Sequence, residues 1–333
     1  MFKSKSALII CLLLVVLLAT LAACGESSPT PPATQPDITT PTISTTAAPS
    51  TTSKPAITPQ VGGTLRIIWS NPPASGFGWG PKIFGGEGFP ADPAMEPLMD
   101  GKFIGGFEPR LATDYKVSSD GLSITFTLRQ GVKFHDGTDF NAEAVKFNVD
   151  AMIKAGKYGK NILSCDVTNS NTVSIKLARF ENISLGTVAG TVIASPTAVQ
   201  KNGENWAAIN AVGTGPFKQV SYEPDVKIRL ERWDGYWGQK AYLDAIEGTF
   251  IADRMTQIMA MKSGAGDATH SRQAKTTSEL TQAGLKVLQN FMGMVALNLN
   301  SRDENSPFYD VRVRMATEYA INKNALVKTL GFG

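Results

Sequence analysis

Short runs of alternating apolar and polar residues recur between positions 64 and 251, and this period of two predicts β-strands. The first predicted strand, Thr64–Trp69, follows a glycine pair. Three hairpins are predicted: 115–118 with Ser123–Leu128, Val167 with 173–177, and 217–222 with 226–232. Two further apolar runs, 245–251 and 294–300, predict buried strands.

Helix starts are predicted where a capping side chain precedes an apolar face with a period near 3.6. Asn141 is predicted to cap a helix whose apolar face runs from Val145 to Ile153, and Gly156 is predicted to end it. Three more helices are predicted to begin after the caps Asp253, Asp310 and Asn322. Strands and helices are mixed without a strict βα repeat, so the predicted fold class is α/β with a mixed sheet and α+β elements.

A long loop is predicted after the first strand, because residues 70–89 are rich in glycine, proline and aromatic residues and have no core periodicity. Binding residues are concentrated on loops that a rigid scaffold positions. We therefore expect exposed rings in this loop that can line a binding site.

The N-terminus has the layout of a secretory signal, with Lys3 and Lys5 before an apolar run at 7–18. That run is too short for a good membrane span. The LAAC sequence at 21–24 resembles a bacterial lipobox, which predicts cleavage after residue 23 and acylation of Cys24. Two or three acyl chains would anchor the protein stably. An ordinary secretory signal, with Cys24 incidental, is the alternative.

Residues 24–60 are predicted to be a solvated tether, because they consist almost wholly of Ser, Thr, Pro and Ala. After it, a composition of 42% hydrophobic and 18% charged residues predicts a globular part. The formal net charge of +3 falls to +1 when Lys3 and Lys5 leave with the signal. A charge this small argues against nucleic acid as a partner.

Cysteine usage excludes an internal disulfide framework, since Cys11 lies in the signal and Cys165 is the sole cysteine of the globular part. Cys165 is predicted to be a small buried apolar residue. A reactive role would need a neighbouring base, which the sequence does not indicate.

Three motifs invite chemical interpretations. His135, Asp136 and Asp139 in GVKFHDGTDF suggest a metal site or a general base, but a metal usually needs three or four clustered ligands, and a polar turn is favoured. VGTGPF at 212–217 lacks the lysine and spacing of a phosphate loop, so it predicts a tight turn. Nucleophile-elbow, zincin and dinucleotide motifs are absent from the sequence.

The third motif, RWDGYWG at 232–238, brings Trp233, Tyr236 and Trp237 close together in the chain. Such aromatic residues are more often packing groups than ligand platforms. A structural role is favoured here, and a ligand contact is the alternative.

An ordered series of stretches resembles one family, the extracytoplasmic solute-binding proteins of ABC importers, family 5, which binds peptides, opines and nickel. The stretches that carry the resemblance are GGTLRI, EPLMDG, the run from FEPRLATDYKV to KFNVDAM, VGTGPFKQV, RWDGYWGQKAYLDAIE and PFYDVRVRMATEYAINKNALV. They cover nearly all of residues 62–333 in the order that the family has.

The resemblance implies a periplasmic-binding-protein-like type II fold, in which two lobes close on a ligand by a hinge equilibrium. Residues 61–293 are expected to form most of the first lobe. Residues 294–333 are expected to hold the strand that crosses between the lobes and the start of a second lobe that is cut short. The acidic residue with which family members hold a peptide's amino group has no counterpart among these residues.

Three residues are predicted ligand contacts from their positions. Trp69 and Asn71 lie at and just past the carboxyl end of the first strand, where ligands bind in open α/β folds. Asn298 lies on the run that resembles the crossing strand. No catalytic residue, metal site or cofactor is predicted.

The favoured hypothesis is a lipid-anchored solute-binding subunit on the extracytoplasmic face of the cell membrane or in the periplasm. Its expected partners are a peptide or small solute, the membrane through its acyl chains, and the permease subunits of an ABC importer. The alternative is a truncated, non-transporting fragment or membrane-anchored interaction module. An enzyme that uses His135 and Asp136 is the least favoured hypothesis.

Overall fold

A computed structural model describes residues 59–84, 89–102, 105–271, 273–288 and 297–330, all within the unit Thr58–Gly333. The predicted signal peptide, Cys24 and nearly all of the predicted tether lie outside the described residues. No helix within the described ranges is long and apolar enough to span a membrane.

The described residues form eleven strands: β1 Thr64–Trp69, β2 Met99–Gly101, β3 Phe107–Pro109, β4 Ala112–Val117, β5 Ser123–Leu128, β6 Ile162–Asn169, β7 Thr172–Leu177, β8 Phe217–Glu223, β9 Lys227–Arg232, β10 Ala245–Phe250 and β11 Ala268–Thr269. The larger sheet has the order β11-β1-β10-β9-β8, with β1 parallel to β10 and β11 and the other pairs antiparallel. A second sheet, β4-β5-β7-β6, is antiparallel, and β2 and β3 form a separate pair.

The same ranges contain eight α-helices: α1 Ala142–Lys154, α2 Asn182–Ala189, α3 Pro196–Asn202, α4 Glu204–Ile209, α5 Arg254–Lys262, α6 Ala274–Gln282, α7 Val311–Ala320 and α8 Lys323–Leu330. The predicted α/β class with a mixed sheet is therefore confirmed.

The three predicted hairpins are all present. Val167 pairs with Val173 as predicted, and the β8–β9 hairpin turns at Asp225, which has a φ of 61°. Aspartate tolerates this left-handed conformation better than most residues. Local turn chemistry was thus enough to locate the hairpins.

The four predicted helix caps also form. Asn141 Oδ1 accepts from the Ala144 amide at 3.0 Å, and Asp253 Oδ1 accepts from the Thr256 amide at 2.8 Å. Asp310 and Asn322 cap α7 and α8 in the same way. Each cap satisfies a backbone donor that has no partner within its own helix.

Two hydrophobic cores lie beside the two larger sheets, and α1 packs against both of them. Val145 and Val149 are fully buried in the core of the four-stranded sheet, while Phe147 and Ala151 pack against the core of the five-stranded sheet. Buried Asn148 bonds both backbone groups of Ala194, at 2.9 and 3.0 Å. Helix α1 therefore couples the two cores.

The strand predicted over 294–300 is wrong where the structure describes it. Residues 297–300 have no regular secondary structure, and Leu297 is 65% exposed. None of the three sheets within the described ranges includes these residues, so their backbone lacks the paired neighbour that a strand requires. Residues 294–296 lie outside the described residues.

Candidate ligand-binding site

The carboxyl ends of three parallel strands meet at one edge of the five-stranded sheet. β10, β1 and β11 end there at Phe250, Trp69 and Thr269. Two hydrogen bonds join the strands at this edge: the Ile251 amide donates to the Trp69 carbonyl at 2.8 Å, and the Thr269 hydroxyl donates to the Ile68 carbonyl at 2.8 Å. Ligands of open α/β sheets bind at such edges.

Trp69 and Phe250 form an aromatic pair at this edge. They lie opposite each other in the β1–β10 register, with ring centroids 5.8 Å apart and planes inclined by 27°. Phe250 is buried, whereas the Trp69 side chain is only partly buried. The partly exposed ring is the indole, with the phenylalanine packed beside it.

The three predicted contact residues differ in their surroundings. Trp69 ends β1 at the carboxyl edge, and Asn71 is exposed in the loop that follows it. Asn298 is exposed in the irregular segment 297–300, and no hydrogen bond among the described residues joins it to the edge. The structure thus brings Trp69 and Asn71 together at the edge but does not link Asn298 to them.

The prediction of exposed rings in the loop after β1 is confirmed for Phe84, which is 58% exposed, and is wrong for Phe77 and Trp79. Phe77 and Trp79 are each 1% exposed. The amides of Phe77 and Gly78 donate to the Ala208 carbonyl at 2.8 and 3.0 Å. An added Cβ at Gly78 would lie 2.5 Å from the Ala207 carbonyl oxygen, so glycine permits the close approach that buries the rings.

The charged side chains near the edge are engaged with neighbours. Arg254, at the start of α5, is 2.7 Å from Glu279 of α6. Asp253 accepts from the Thr256 hydroxyl and amide, and these two hydrogen bonds lower the pKa of its carboxyl group. These charged groups position α5 and α6, the helices that follow β10 and β11. The partly exposed side chain at the strand ends is the uncharged indole of Trp69.

Comparison with known proteins decides the family. A family model described as "Bacterial extracellular solute-binding proteins, family 5 Middle" matches residues 106–333, well over half of the chain. The chain belongs to this family. The resemblance predicted from the ordered sequence stretches is therefore confirmed.

Curated relatives of this family 5 protein include the glutathione-binding protein GsiB of Salmonella typhi. It is 33% identical over 234 residues, which cover 66% of this chain and 44% of GsiB. GsiB of Escherichia coli O1:K1 is 32% identical with the same coverage. The chain thus spans less than half the length of the curated relatives that it matches.

Solved structures of similar proteins identify the fold. Helicobacter pylori DppA in complex with the peptide STSA has a TM-score of 0.65 and 28% identity, covering 82% of this chain and 59% of DppA. Brucella suis NikA in complex with Fe(III)-EDTA has a TM-score of 0.63, covers 81% of this chain and 57% of NikA, and at 23% identity shows the fold alone. The family 5 protein has the predicted type II periplasmic-binding-protein fold.

The RWDGYWG motif has a structural role in this family 5 protein. Tyr236 Oη donates to Glu96 Oε1 at 2.8 Å, while Trp237 Nε1 and Thr214 Oγ1 each donate to Glu96 Oε2 at 2.8 Å. Glu96 is 5% exposed, and burial together with its nearby charge raises the pKa of Tyr236. The motif satisfies a buried carboxylate, which must be hydrogen-bonded to be tolerated.

His135 is a packing group of its turn. It is 5% exposed, its Nε2 donates to the Gly215 carbonyl at 2.9 Å, and its ring meets Trp233 edge-on at 4.8 Å. Burial lowers its pKa to about 4, so the ring is neutral at pH 7. The Asp136 carboxylate accepts from the Ser195 hydroxyl at 2.5 Å and from the Thr138 hydroxyl and amide at 2.6 and 3.0 Å. Within the described ranges, no group of three or more His, Cys, Asp or Glu residues could hold a metal ion.

VGTGPF forms the predicted tight turn. A Cβ at Gly213 would lie 2.2 Å from the Ala94 carbonyl oxygen, and a Cβ at Gly215 would lie 2.4 Å from the Pro93 carbonyl oxygen. Only glycine permits this backbone contact. Between the two glycines, the hydroxyl of fully buried Thr214 reaches Glu96.

Cys165 is fully buried, as predicted. Burial raises the pKa of its thiol to about 12. The thiolate, which is the reactive form, is therefore scarce at neutral pH.

Two concavities of the described surface lie away from the strand ends. One, of about 440 Å³, lies between α1 and α3 and is lined by solvated charged groups such as Asp139 and Glu143. The other, of about 350 Å³, lies beside the ends of α1 and α2, near Met152 and Thr191. We favour the strand ends as the ligand site, because the parallel topology brings several loops together there.

Phe250 and Thr269 lie at this edge, and sequence reasoning did not predict them as site residues. The strand over 245–251 was predicted, and Phe250 was visible as its last aromatic residue. Its parallel pairing with β1 left no local sequence signal, because the two strands are far apart in the chain.

Proposed function

We propose that this chain is a solute-binding subunit of an ABC importer that captures peptides or similar small solutes outside the cytoplasmic membrane and delivers them to a permease. The match of residues 106–333 to the family 5 model carries the proposal. The carboxyl edge with Trp69 and Asn71 supports it, because it offers one partly exposed ring and one exposed amide where loops converge.

Peptides are the proposed ligand class. The curated relatives are named for glutathione, a tripeptide, and H. pylori DppA was solved with the peptide STSA. In this chain we propose that Trp69, Asn71 and Asn298 contact the ligand, with residues 61–293 as the first lobe and 294–333 as the crossing segment and the beginning of the second lobe.

Binding is tested by titrating the full chain, purified in detergent, with glutathione and with STSA, while thermal unfolding and binding heat are followed. A ligand that binds only the folded state stabilises it by about 2.7 kcal/mol at 100 times its dissociation constant. Trp69→Ala is expected to weaken binding, and Trp206→Ala, on α4, is the matched control. If no peptide or other small solute stabilises the wild-type chain, solute binding is refuted.

Lipid anchoring through Cys24 is the second part of the proposal, and it rests on the LAAC sequence at 21–24. Expression of the full chain in a bacterium with radiolabelled palmitate is expected to label the wild type and Cys11→Ser but not Cys24→Ser. An unlabelled wild type would instead favour the ordinary secretory signal, and a labelled Cys24→Ser chain would show acylation at a residue other than Cys24.

A membrane-anchored interaction module is a second candidate function, and exposed apolar side chains on α7 favour it. Val311, Met315 and Tyr319 recur every four residues and are 53%, 52% and 83% exposed. A surface of this kind commonly marks contact with another polypeptide. The full chain is therefore expected to bind an apolar dye, and Met315→Glu is expected to abolish that binding. Failure of the full chain to bind the dye would count against this function.

A further inference from the structure

Gly248 lies directly beneath the indole of Trp69. A Cβ built at this position in β10 would be 1.6 Å from Cζ3 and 2.5 Å from Cε3 of the tryptophan. Non-bonded carbon atoms normally approach to about 3.5 Å. Every other amino acid at this position would therefore occupy the volume that the indole fills.

The register explains why this position controls the ring. Gly248 pairs with Ile67 of β1, and Trp69 pairs with Phe250 of β10. The indole therefore reaches diagonally back across the neighbouring strand, where diagonal neighbours are within reach of aromatic side chains. Glycine inside a strand weakens it and often marks such a close approach.

Phe250 confines the same ring from the side. Its ring is 8% exposed and stacks with the indole, whose centroid is 5.8 Å away. The indole of Trp69 thus packs on the backbone of Gly248 and against the buried ring of Phe250. It remains partly exposed at the carboxyl edge.

From this geometry we infer that Gly248 is a positioning residue for the ligand site: it seats the Trp69 indole against Phe250, so that the indole stacks on an uncharged planar group of the ligand, such as an aromatic side chain. This inference rests on the proposed solute-binding function. Stacking of this kind contributes about 0.5–1.5 kcal/mol beyond area burial. An aromatic ligand group is therefore favoured about two- to twelvefold over an aliphatic one.

The experiment uses the full chain labelled with 5-fluorotryptophan, in wild-type, Gly248→Ala and Gly266→Ala forms, with Trp69→Phe to assign the fluorine signal. Gly266→Ala is the matched control, because its Cβ would lie 2.7 Å from Ile68 Cδ1. Ile68 and Trp69 are neighbours on β1 and point to opposite faces of the sheet. Only Gly248→Ala is expected to shift the Trp69 signal.

The binding readout compares the tripeptides Gly-Trp-Gly and Gly-Leu-Gly. The wild type and Gly266→Ala are expected to prefer Gly-Trp-Gly about two- to twelvefold. Gly248→Ala is expected to lose that preference. Phe250→Leu, which keeps Gly248 but removes the neighbouring ring, is expected to lose it as well. This second variant tests the same position of the Trp69 indole if Gly248→Ala does not fold.

An unchanged Trp69 signal in Gly248→Ala, or a displaced ring with the preference intact, overturns the inference. A wild-type chain that binds the two tripeptides equally, or binds neither while other peptides bind, also overturns it and leaves the proposed function standing. A wild-type chain that binds no solute at all refutes the proposed function itself.

Discussion

Acidification from pH 7 to pH 5 is expected to destabilise this protein through His135. The ring is buried beside Trp233 and its Nε2 donates to the Gly215 carbonyl. Burial lowers the pKa of His135 to about 4 in the folded state, from 6.5 for an unperturbed histidine. Between pH 6.5 and pH 4, His135 therefore binds a proton in the unfolded chain but not in the folded chain.

The pKa difference between the folded and unfolded chains sets the sign and size of the change in stability with pH. Because the folded pKa is depressed, the contribution of His135 to stability is fully present above pH 6.5 and is lost as the pH falls toward 4. Each pKa unit corresponds to 1.36 kcal/mol, so the complete loss is about 3 kcal/mol. Between pH 7 and pH 5 the loss is about 2 kcal/mol.

Urea unfolding of wild type and His135→Gln at pH 7, 6 and 5 measures this loss. The glutamine amide can still donate to the Gly215 carbonyl but does not titrate. We expect the free energy of unfolding to fall by about 2 kcal/mol more in the wild type than in the variant. The carboxylates contribute equally to both chains, so the difference isolates His135.

Lys218 offers an independent check, since its charge also lowers the pKa of His135. Lys218→Met should raise that pKa and reduce the pH dependence. Equal pH dependence of unfolding in wild type and His135→Gln would refute the assignment of a buried, neutral histidine.

Three further outcomes are expected. Glu96→Leu should lower the free energy of unfolding by about 3 kcal/mol or more, because it leaves the buried Thr214 hydroxyl and the half-buried Tyr236 and Trp237 donors unpaired. A loss below about 1 kcal/mol in urea unfolding would contradict that. Gly213→Ala should lower the free energy of unfolding by more than about 2 kcal/mol, because its Cβ would meet the Ala94 carbonyl. Gly101→Ala is the control, since a Cβ at exposed Gly101 meets nothing within 4 Å. Similar urea midpoints for the two variants would argue against the close contact at Gly213. The Cys165 thiol should react with a disulfide reagent only after denaturation, and rapid native labelling would refute its burial.

Predictions that rest on neighbouring residues were confirmed. The cap at Asn141 bonds an amide three residues away, and the β8–β9 turn at Asp225 uses a conformation that aspartate tolerates. Strand β1 was predicted with its observed bounds, Thr64–Trp69. These features depend on local backbone chemistry, which a short stretch of sequence contains in full.

Predictions that depend on partners far along the chain failed or were not made. The loop after β1 was expected to expose its rings and does so at Phe84, but the glycines beside Phe77 and Trp79 let that part of the loop pack on residues 207–210 and bury both rings. The run at 297–300 is apolar and polar in alternation, yet it has no neighbouring strand in the described sheets.

The sequence by itself determined the family, the three hairpins, the four capped helices, and the aromatic and glycine-rich motifs of this protein. Only the tertiary structure decided what those motifs do: Tyr236 reaches Glu96 across 140 positions, and Gly248 holds the ring of Trp69. The physical reason is that a buried carboxylate and a bare backbone position acquire their roles from the groups packed against them. Those groups come together only when distant strands pair.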